Sequence, residues 1–405
     1  MALLTPHRAD RTTATPSQLP SNGQLPSLTG MRWVAAFTVF IYHVRNFGYF
    51  APGQAGRLVN WAFGPGAAGV SLFFVLSGFV MAWSARPGER AYAFWRRRLA
   101  RIYPVHLATA ALTLVLAFTV VPGLRPGGTR EAAANLLLVS SWKPEWWQTL
   151  NPVSWSLVCE AFFYAAFPAL FTGLSRLPAR VLGVTAAASS ILVVVLPWAN
   201  ARYALGWTLY SSPPLRFPEF VLGVTLGLLV KAGAWRGPGL DVSLAITLIG
   251  YLATAQVSAE YGYAACTVVG LALLIPAAAT ADLSGQSSFW RHPRLVRLGE
   301  WSFAFYMIHI LVLRTGEALF GSQPHLATVP ALAVTATAFV VSLTLAWSLY
   351  VGVERPGRRL LLRPRKSPNV SRQPGNNGPA TPKGAGVPPN ICPRPVRHPH
   401  RRFPR

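Results

Sequence analysis

Charge is scarce in this chain. Asp, Glu, Lys and Arg make up 12% of its 405 residues and hydrophobic residues 52%, against about 25% charged in an ordinary soluble domain. That balance excludes a soluble globular protein. Cysteine is nearly missing: Cys159, Cys266 and Cys392 are too few and too scattered for a disulfide framework or a metal-ligand spacing. The apolar/polar alternation of an outer-membrane barrel strand is lacking. No internal repeat points to a two-fold transporter architecture. The first 27 residues lack the apolar core and cleavage site of a secretory signal; polar and carrying Arg8 and Arg11, they are expected to be a disordered cytoplasmic leader.

What is present is a succession of apolar blocks near the ~20 residues needed to span a bilayer. They run Leu28 to Phe50, Gly69 to Trp83, Tyr103 to Val121, Trp155 to Phe171, Val181 to Pro197, Leu215 to Val230, Leu240 to Val257, Ala264 to Thr280, Leu298 to Phe320 and Leu326 to Tyr350. The expected fold is therefore all-α, a polytopic helical membrane protein of about ten transmembrane helices. A further apolar piece, Ala132 to Val139, is too short to cross and is a candidate re-entrant segment, which requires burial against protein. Residues 28–356 form the expected membrane domain, and 357–405, rich in Pro and Arg, a disordered basic tail.

The formal charge of +25 is mostly topology. Arg86, Arg90, Arg96, Arg97, Arg98, Arg101, Arg176, Arg180, Lys231, Arg236, Arg291, Arg294 and Arg297 fall in alternate loops, whereas the intervening loops hold only Arg57, Arg125, Arg130, Lys143 and Arg202. This bias predicts a multi-pass plasma-membrane protein with both termini cytoplasmic, facing anionic lipid. No basic stripe with interleaved aromatics suggests a nucleic-acid partner.

Ionisable residues inside apolar blocks are expensive and so mark candidate sites. Arg32 and His43, eleven residues apart, fall within roughly 20° of one helix face and about 16 Å apart along the axis. Arg98 and Arg101 share a face where a helix leaves the membrane; they suit phosphate capture, or simply anchor the helix. Glu160, with Ser156 one turn before it, is expected near the outer start of its span, with His43 or an arginine as partner, in a site or in a structural ion pair. His309 is a second intramembrane imidazole, a site residue or a packing one. Arg216 with Glu219, and Glu354 with nearby arginines, read as structural pairs.

In order, the runs SLTGMRWVAAFTVFIYHV, GVSLFFVLSGFVMAW, FWRRRLARIYP, NPVSWSLVCEAFFYAAFP, LRFPEFVLGVTLG, LGEWSFAFYMIH and VERP resemble the acyltransferase type 3 family of integral membrane acyl transferases. The family's basic residue, ten residues, then His falls on Arg32 and His43. Its Arg-x-x-Arg falls on Arg98 and Arg101, and its Trp-Ser-Leu-x-x-Glu on Trp155, Ser156, Leu157 and Glu160. Cys159 replaces a more usual Val, and Met307-Ile308 a frequent Leu-Trp. The resemblance implies O-acylation of a carbohydrate or glycoside hydroxyl, with acyl-CoA, acetyl-CoA being the simplest, as co-substrate and no bound cofactor or metal. His43 is then the expected general base, Glu160 its orienting or stabilising carboxylate, and Arg32, Arg98, Arg101, Ser156 and His309 substrate-binding residues.

Some members carry a fused extracytoplasmic hydrolase-like domain. No Gly-Asp-Ser motif of that kind is present, so the chain is expected to act alone, as a homo-oligomer or with a separate partner protein. The LPSLTGMR opening is most similar to actinobacterial members that acylate macrolide or other antibiotic sugars. A different class, a proton-coupled transporter or flippase using His43 and Glu160 as a relay, shares the composition but not the ordered motifs.

Overall fold

The computed structural model describes residues 24–86 and 88–363. Fourteen α-helices follow one another: α1 (Pro26–Asn46), α2 (Gln54–Phe63), α3 (Gly69–Ser84), α4 (Ala91–Thr119), α5 (Thr129–Leu136), α6 (Trp155–Leu174) and α7 (Ala179–Tyr203). The second half adds α8 (Pro213–Lys231), α9 (Leu240–Ala253), α10 (Ala259–Gly262), α11 (Val268–Leu283), α12 (Pro293–Phe320), α13 (Thr328–Leu349) and α14 (Arg355–Leu362). Among the described residues there is no strand, only an isolated bridge between Phe50 and Leu326.

Each of the ten expected spans has its helix. Among the described residues, seven helical stretches are long and apolar enough to cross a membrane, containing α3, α4, α6, α7, α8, α12 and α13; α9 and α11 are shorter apolar helices. The tenth, α1, is 21 residues long and diluted by Arg32, His43 and Arg45. α4 starts at Ala91 rather than Tyr103, because its first turns are basic and hydropathy registers only the lipid-facing part. The turn before it is tied by Arg97 to Glu89, and that hydrogen bond holds the Glu89 carboxyl below its ordinary value.

Lipid contributes no hydrophobic drive between helices, so close packing of small residues must hold them. The α3–α8 seam shows it. A Cβ on Gly223 would lie 1.9 Å from the Val75 carbonyl oxygen, and one on Gly78 2.2 Å from that of Phe220. Gly223 and Gly227 form a small-xxx-small pair that lets the two backbones touch. Between these helices, Arg216 and Glu219 pair at 2.9 Å with both side chains buried, and Arg216 also donates to Ser71 Oγ at 3.1 Å; this is the structural pair the sequence suggests. At the rim, α7 and α13 present Val184, Ile191, Val329 and Val340 outward.

The helix ends sort onto two faces. On one, Ser27 bonds the Asp282 carboxylate through N and Oγ at 2.8 and 2.7 Å, and Lys231 Nζ donates to the carbonyls at the end of α3. On the other, Tyr49 reaches the Leu313 carbonyl and Phe50 meets Leu326. The first face carries the arginine-rich ends.

The segment between α4 and α6 turns back into the protein. α4 ends at Thr119 on the far face, yet Tyr103 Oη donates to Leu136 O at 2.7 Å and His106 Nε2 lies 3.1 Å from Asn135 O. Those α4 residues lie about 20 Å back from the helix end. Asn151 Nδ2 then bonds Met307 O in the middle of α12 at 2.7 Å. The apolar piece at 132–139 thus re-enters against protein on one face, where Asn135 Nδ2 donates to Thr149 O and Ser154 Oγ at 2.8 and 2.7 Å, while Leu137 and Val139 stay exposed. One consequence is that α6 begins deep inside the protein.

At the chain ends, the expected leader boundary moves. Pro26 and Ser27 already belong to α1, because Pro is pre-shaped for a first turn and Asp282 anchors Ser27. The rest of the leader, up to residue 23, lies outside the described residues, as does the tail from 364. The tail's first residues are helical in α14, gripped by Arg96, which donates to Leu361 O and Arg363 O at 2.9 and 2.7 Å.

Candidate active site

On the arginine-rich side, a cavity of about 100 Å³ is walled by Arg32, Arg98, Arg101, Ser156, Glu160, Tyr164 and Tyr306, with Phe73, Phe74 and Phe303 among its apolar residues. α1, α3, α4, α6 and α12 each contribute. Arg32 sits two turns into α1, and Arg98 and Arg101 sit three apart on α4, so their guanidiniums converge from two helices. Glu160 accepts a hydrogen bond from the Tyr164 hydroxyl, and Trp95 Nε1 bonds Tyr164 O at 2.9 Å, fixing α6 against α4. Glu160 and Glu354 are the carboxylates in electrostatic reach of Arg32. Arg98 Nε is buried without a hydrogen-bond partner among the described residues. Three guanidiniums against two carboxylates leave an excess of donors and of positive charge, the composition of an anion receptor.

His43 occupies a second cavity, of about 230 Å³, on the opposite side. Its walls come from Tyr42 and Asn46 of α1 and Phe47 just after it, from Trp147, Gln148, Pro152 and Val153 of the re-entrant segment, from Trp155 and Tyr210, and from Tyr306, Ile310, Arg314 and Glu317 of α12. His43 is half-buried and His309 wholly buried. Their rings meet: His43 Nδ1 lies 2.9 Å from Val39 O and 3.2 Å from His309 Nε2, and His309 Nδ1 lies 3.2 Å from Phe305 O.

Those carbonyls assign the tautomers. A carbonyl oxygen only accepts, so each Nδ1 carries its proton. His309 Nε2 is then a lone pair that receives the His43 Nδ1 proton as a second acceptor, and His43 Nε2 is free to take a proton. Phe305 stacks on the His309 ring, centroids 5.9 Å apart and 13° from parallel, and Phe40 meets its edge at 6.3 Å. The pair is therefore held in place.

Tyr306 lines both cavities. Its hydroxyl reaches Val153 O at 3.4 Å, two residues before Trp155 and three before Ser156, so α12 and the start of α6 form a partition between the chambers.

Of the residues singled out in the sequence, Arg32, Arg98, Arg101, Ser156 and Glu160 come together in one chamber and His43 in the other. Glu160 is not the partner of His43. Because α6 starts at depth, Glu160 lies level with the α4 arginines rather than near the outer surface, and His309 is what meets the imidazole. His309 lines neither of these two chambers; its ring meets that of His43. Sequence reasoning missed Tyr164, Tyr306, Arg314, Glu317, Trp147 and Tyr210, and gave Trp155 no role beyond its place in the Trp-Ser-Leu-x-x-Glu run. Tyr306, three residues before His309 in FAFYMIH, carried the best available signal, since residues three apart on a helix share a face. Glu354, read as a local pair, is in electrostatic reach of the local Arg358 and also of Arg101 and Arg32, in a π-helical stretch Tyr350–Glu354 of the kind frequent at functional sites.

An all-α membrane protein with a cationic chamber on one face, an imidazole pair on the other and one tyrosine between them has the parts of an intramembrane group-transfer enzyme. The chain matches the family described as acyltransferase domain over residues 25–351. It is 40% identical over 364 residues to the acyltransferase MdmB of Streptomyces mycarofaciens, covering 84% of this chain and 94% of that one. With the peptidoglycan O-acetyltransferase OatA of Listeria monocytogenes it shares 28% over 247 residues, 55% of this chain but 31% of that protein. With an O-acetyltransferase OatA of Staphylococcus aureus it shares 29% over 166 residues, 36% of this chain and 25% of that protein. The chain belongs to this acyltransferase family. No solved structure matches it.

Proposed function

We propose that the protein moves an acyl group from acyl-CoA to a hydroxyl of a carbohydrate, glycoside or antibiotic sugar, across the partition between its two chambers. The observation that carries this reading is the free Nε2 of His43, held by two Nδ1 acceptors, in a chamber that touches the arginine chamber through Tyr306. By the positive-inside bias the arginine face is cytoplasmic, which puts both termini in the cytoplasm and the cationic chamber where CoA is available, in the plasma membrane. That two relatives are O-acetyltransferases, one of them of peptidoglycan, supports oxygen as the acceptor atom, a saccharide as its bearer, and acetyl as the group.

Arg98 and Arg101 hold the CoA phosphates at the mouth, with Arg32 deeper along the path. A cavity of about 100 Å³ receives the thioester and a short acyl chain, not the nucleotide. From the opposite chamber, the acceptor hydroxyl gives its proton to His43 Nε2 as its oxygen attacks the thioester carbon. The carbon–sulfur bond then breaks, CoA leaves as the thiolate and takes up a proton, and His43 returns to neutral. General-base assistance of this kind contributes about 10²- to 10⁴-fold. His309 orients the ring and accepts the Nδ1 proton of the imidazolium. Ser156, beside the partition, lies where the thioester passes, and Glu160 with Glu354 balances the guanidiniums when the donor is absent.

The test is release of CoA thiol and formation of an ester by detergent-purified protein given acetyl-CoA and a panel of sugar and macrolide glycosides, wild type beside His43→Gln. Acceptor-dependent release that falls by two orders of magnitude or more in the variant, with an unchanged melting temperature, is expected. Equal turnover by both proteins removes His43 from the chemistry. Proton-coupled movement of the glycoside without an ester overturns the reading in favour of a transporter.

A further inference from the structure

We propose that the His43 chamber is a sugar subsite in which Trp147, Trp155 and Tyr210 form the stacking wall and the Arg314–Glu317 pair holds the ring hydroxyls. This rests on the acyl-transfer reading above and supplies what that reading leaves open, the residues that recognise the acceptor.

The wall is built before any ligand arrives. Trp155 and Tyr210 have centroids 4.5 Å apart, Trp147 lies 5.7 Å from Tyr210 and 6.3 Å from Trp155, and Tyr263 backs Tyr210 at 4.6 Å. Each ring braces the next, in the edge-on and tilted arrangements aromatic quadrupoles favour. Rigid aromatic surface of this kind binds the C–H face of a pyranose at little entropic cost. Trp147 belongs to the re-entrant segment and Trp155 to the first turn of α6, so the dive of the chain into the protein is what delivers them beside His43.

The polar wall faces a neutral ligand. Arg314 Nη1 donates to Glu317 Oε2 at 2.8 Å, which cancels the charge of both, and the pair is only partly exposed, at 35% and 27%. Arg314 Nε is buried with no hydrogen-bond partner among the described residues, while its guanidinium rests over Phe47 at 5.2 Å. An unpaired buried donor is costly, and a ring hydroxyl satisfies it. Fixed donors and acceptors side by side match vicinal hydroxyls; a hydrocarbon occupant leaves Nε orphaned. Arg314 and Glu317 lie about 8 and 12 Å beyond His309 along α12, so a ring held there brings a hydroxyl toward His43. At about 230 Å³ the chamber takes one sugar ring, with the rest of the acceptor outside.

The experiment measures steady-state ester formation from acetyl-CoA by the full-length purified protein, using a methyl pyranoside and, as a ring of similar size without vicinal hydroxyls, cyclohexanol. Wild type is compared with Trp147→Leu and Arg314→Gln, each checked for an unchanged melting temperature. The pyranoside KM is expected to rise at least tenfold in both variants, with acetyl-CoA KM unaltered; the cyclohexanol KM rises with it in Trp147→Leu, which removes stacking surface, and by less than the pyranoside KM in Arg314→Gln, since cyclohexanol has no vicinal hydroxyls to lose. A pyranoside KM unchanged in both variants overturns the subsite and leaves acyl transfer standing. A rise in acetyl-CoA KM instead makes this the donor's chamber and overturns it as well. If wild type esterifies no acceptor, the acyl-transfer reading falls and takes the subsite with it.

Discussion

Replacing His309 separates positioning from binding. His43 Nδ1 has two acceptors, Val39 O at 2.9 Å and His309 Nε2 at 3.2 Å, so the neutral ring loses only one of two bonds when His309 becomes Leu. A neutral hydrogen bond contributes about 1 kcal/mol, but one to a charged group about 1.5–3. The larger figure applies once His43 has taken the acceptor's proton, and it applies to the transition state rather than to either substrate complex. It corresponds to a kcat lower by roughly 10- to 150-fold. Because His309 lines neither chamber, both KM values should stay within about twofold. His309→Gln restores an acceptor near the position of Nε2 and should recover most of the rate. The assay is thiol release over a range of both substrates, with a thermal melt of each variant. A His309→Leu enzyme with wild-type kcat, or Leu and Gln variants equally impaired, would refute the reasoning.

Two further substitutions test other parts of the architecture. Arg98→Gln and Arg101→Gln each remove a charge-assisted phosphate contact, so the KM for acyl-CoA should rise by about 10- to 100-fold and the acceptor KM should not; titration of each substrate at saturation of the other checks this. Gly223→Val drives a side chain into the Val75 carbonyl, 1.9 Å from the first added atom, and should cost about 3 kcal/mol or more, read as a lower melting temperature in detergent. Gly183→Ala on lipid-facing α7, with nothing within 4 Å of the new Cβ, is the control and should melt no lower than wild type.

The spans were legible because their signal is local: a block of apolar residues near 20 long registers as a helix whatever its neighbours do. The Arg32 and His43 spacing was legible for the same reason, and it puts a cation toward one face and an imidazole toward the other, as a single straight helix must. Depth was not legible. Trp155 is a true helix start, but nothing in WSLVCEAFFY says that the start lies inside the protein. That fact depends on Asn135, Asn151 and their partners on α4 and α12, more than 150 residues away in the case of Met307. The misplacement of Glu160 follows from that one unseen dive, whereas the missed pairing of His43 with His309 follows from the packing of α1 against α12, which no local pattern announces. Hydropathy also weighs aromatics by apolarity alone, so Trp147, Tyr210 and Tyr306 read as ordinary lining or belt residues until the fold places them around His43.

The partition at Tyr306 carries a consequence beyond catalysis. Two vestibules reach toward each other from opposite faces, and where water and ions fill them the voltage across a membrane no longer falls evenly over its thickness. It falls instead across the thin septum of Tyr306 and the first turn of α6, with His43 at its edge. One elementary charge carried through 100 mV is worth about 2.3 kcal/mol, so in the proposed transfer a proton taken up on one side and a thiolate released on the other would feel nearly the whole of it. On that reading turnover would follow the electrical state of the membrane as well as the supply of substrate.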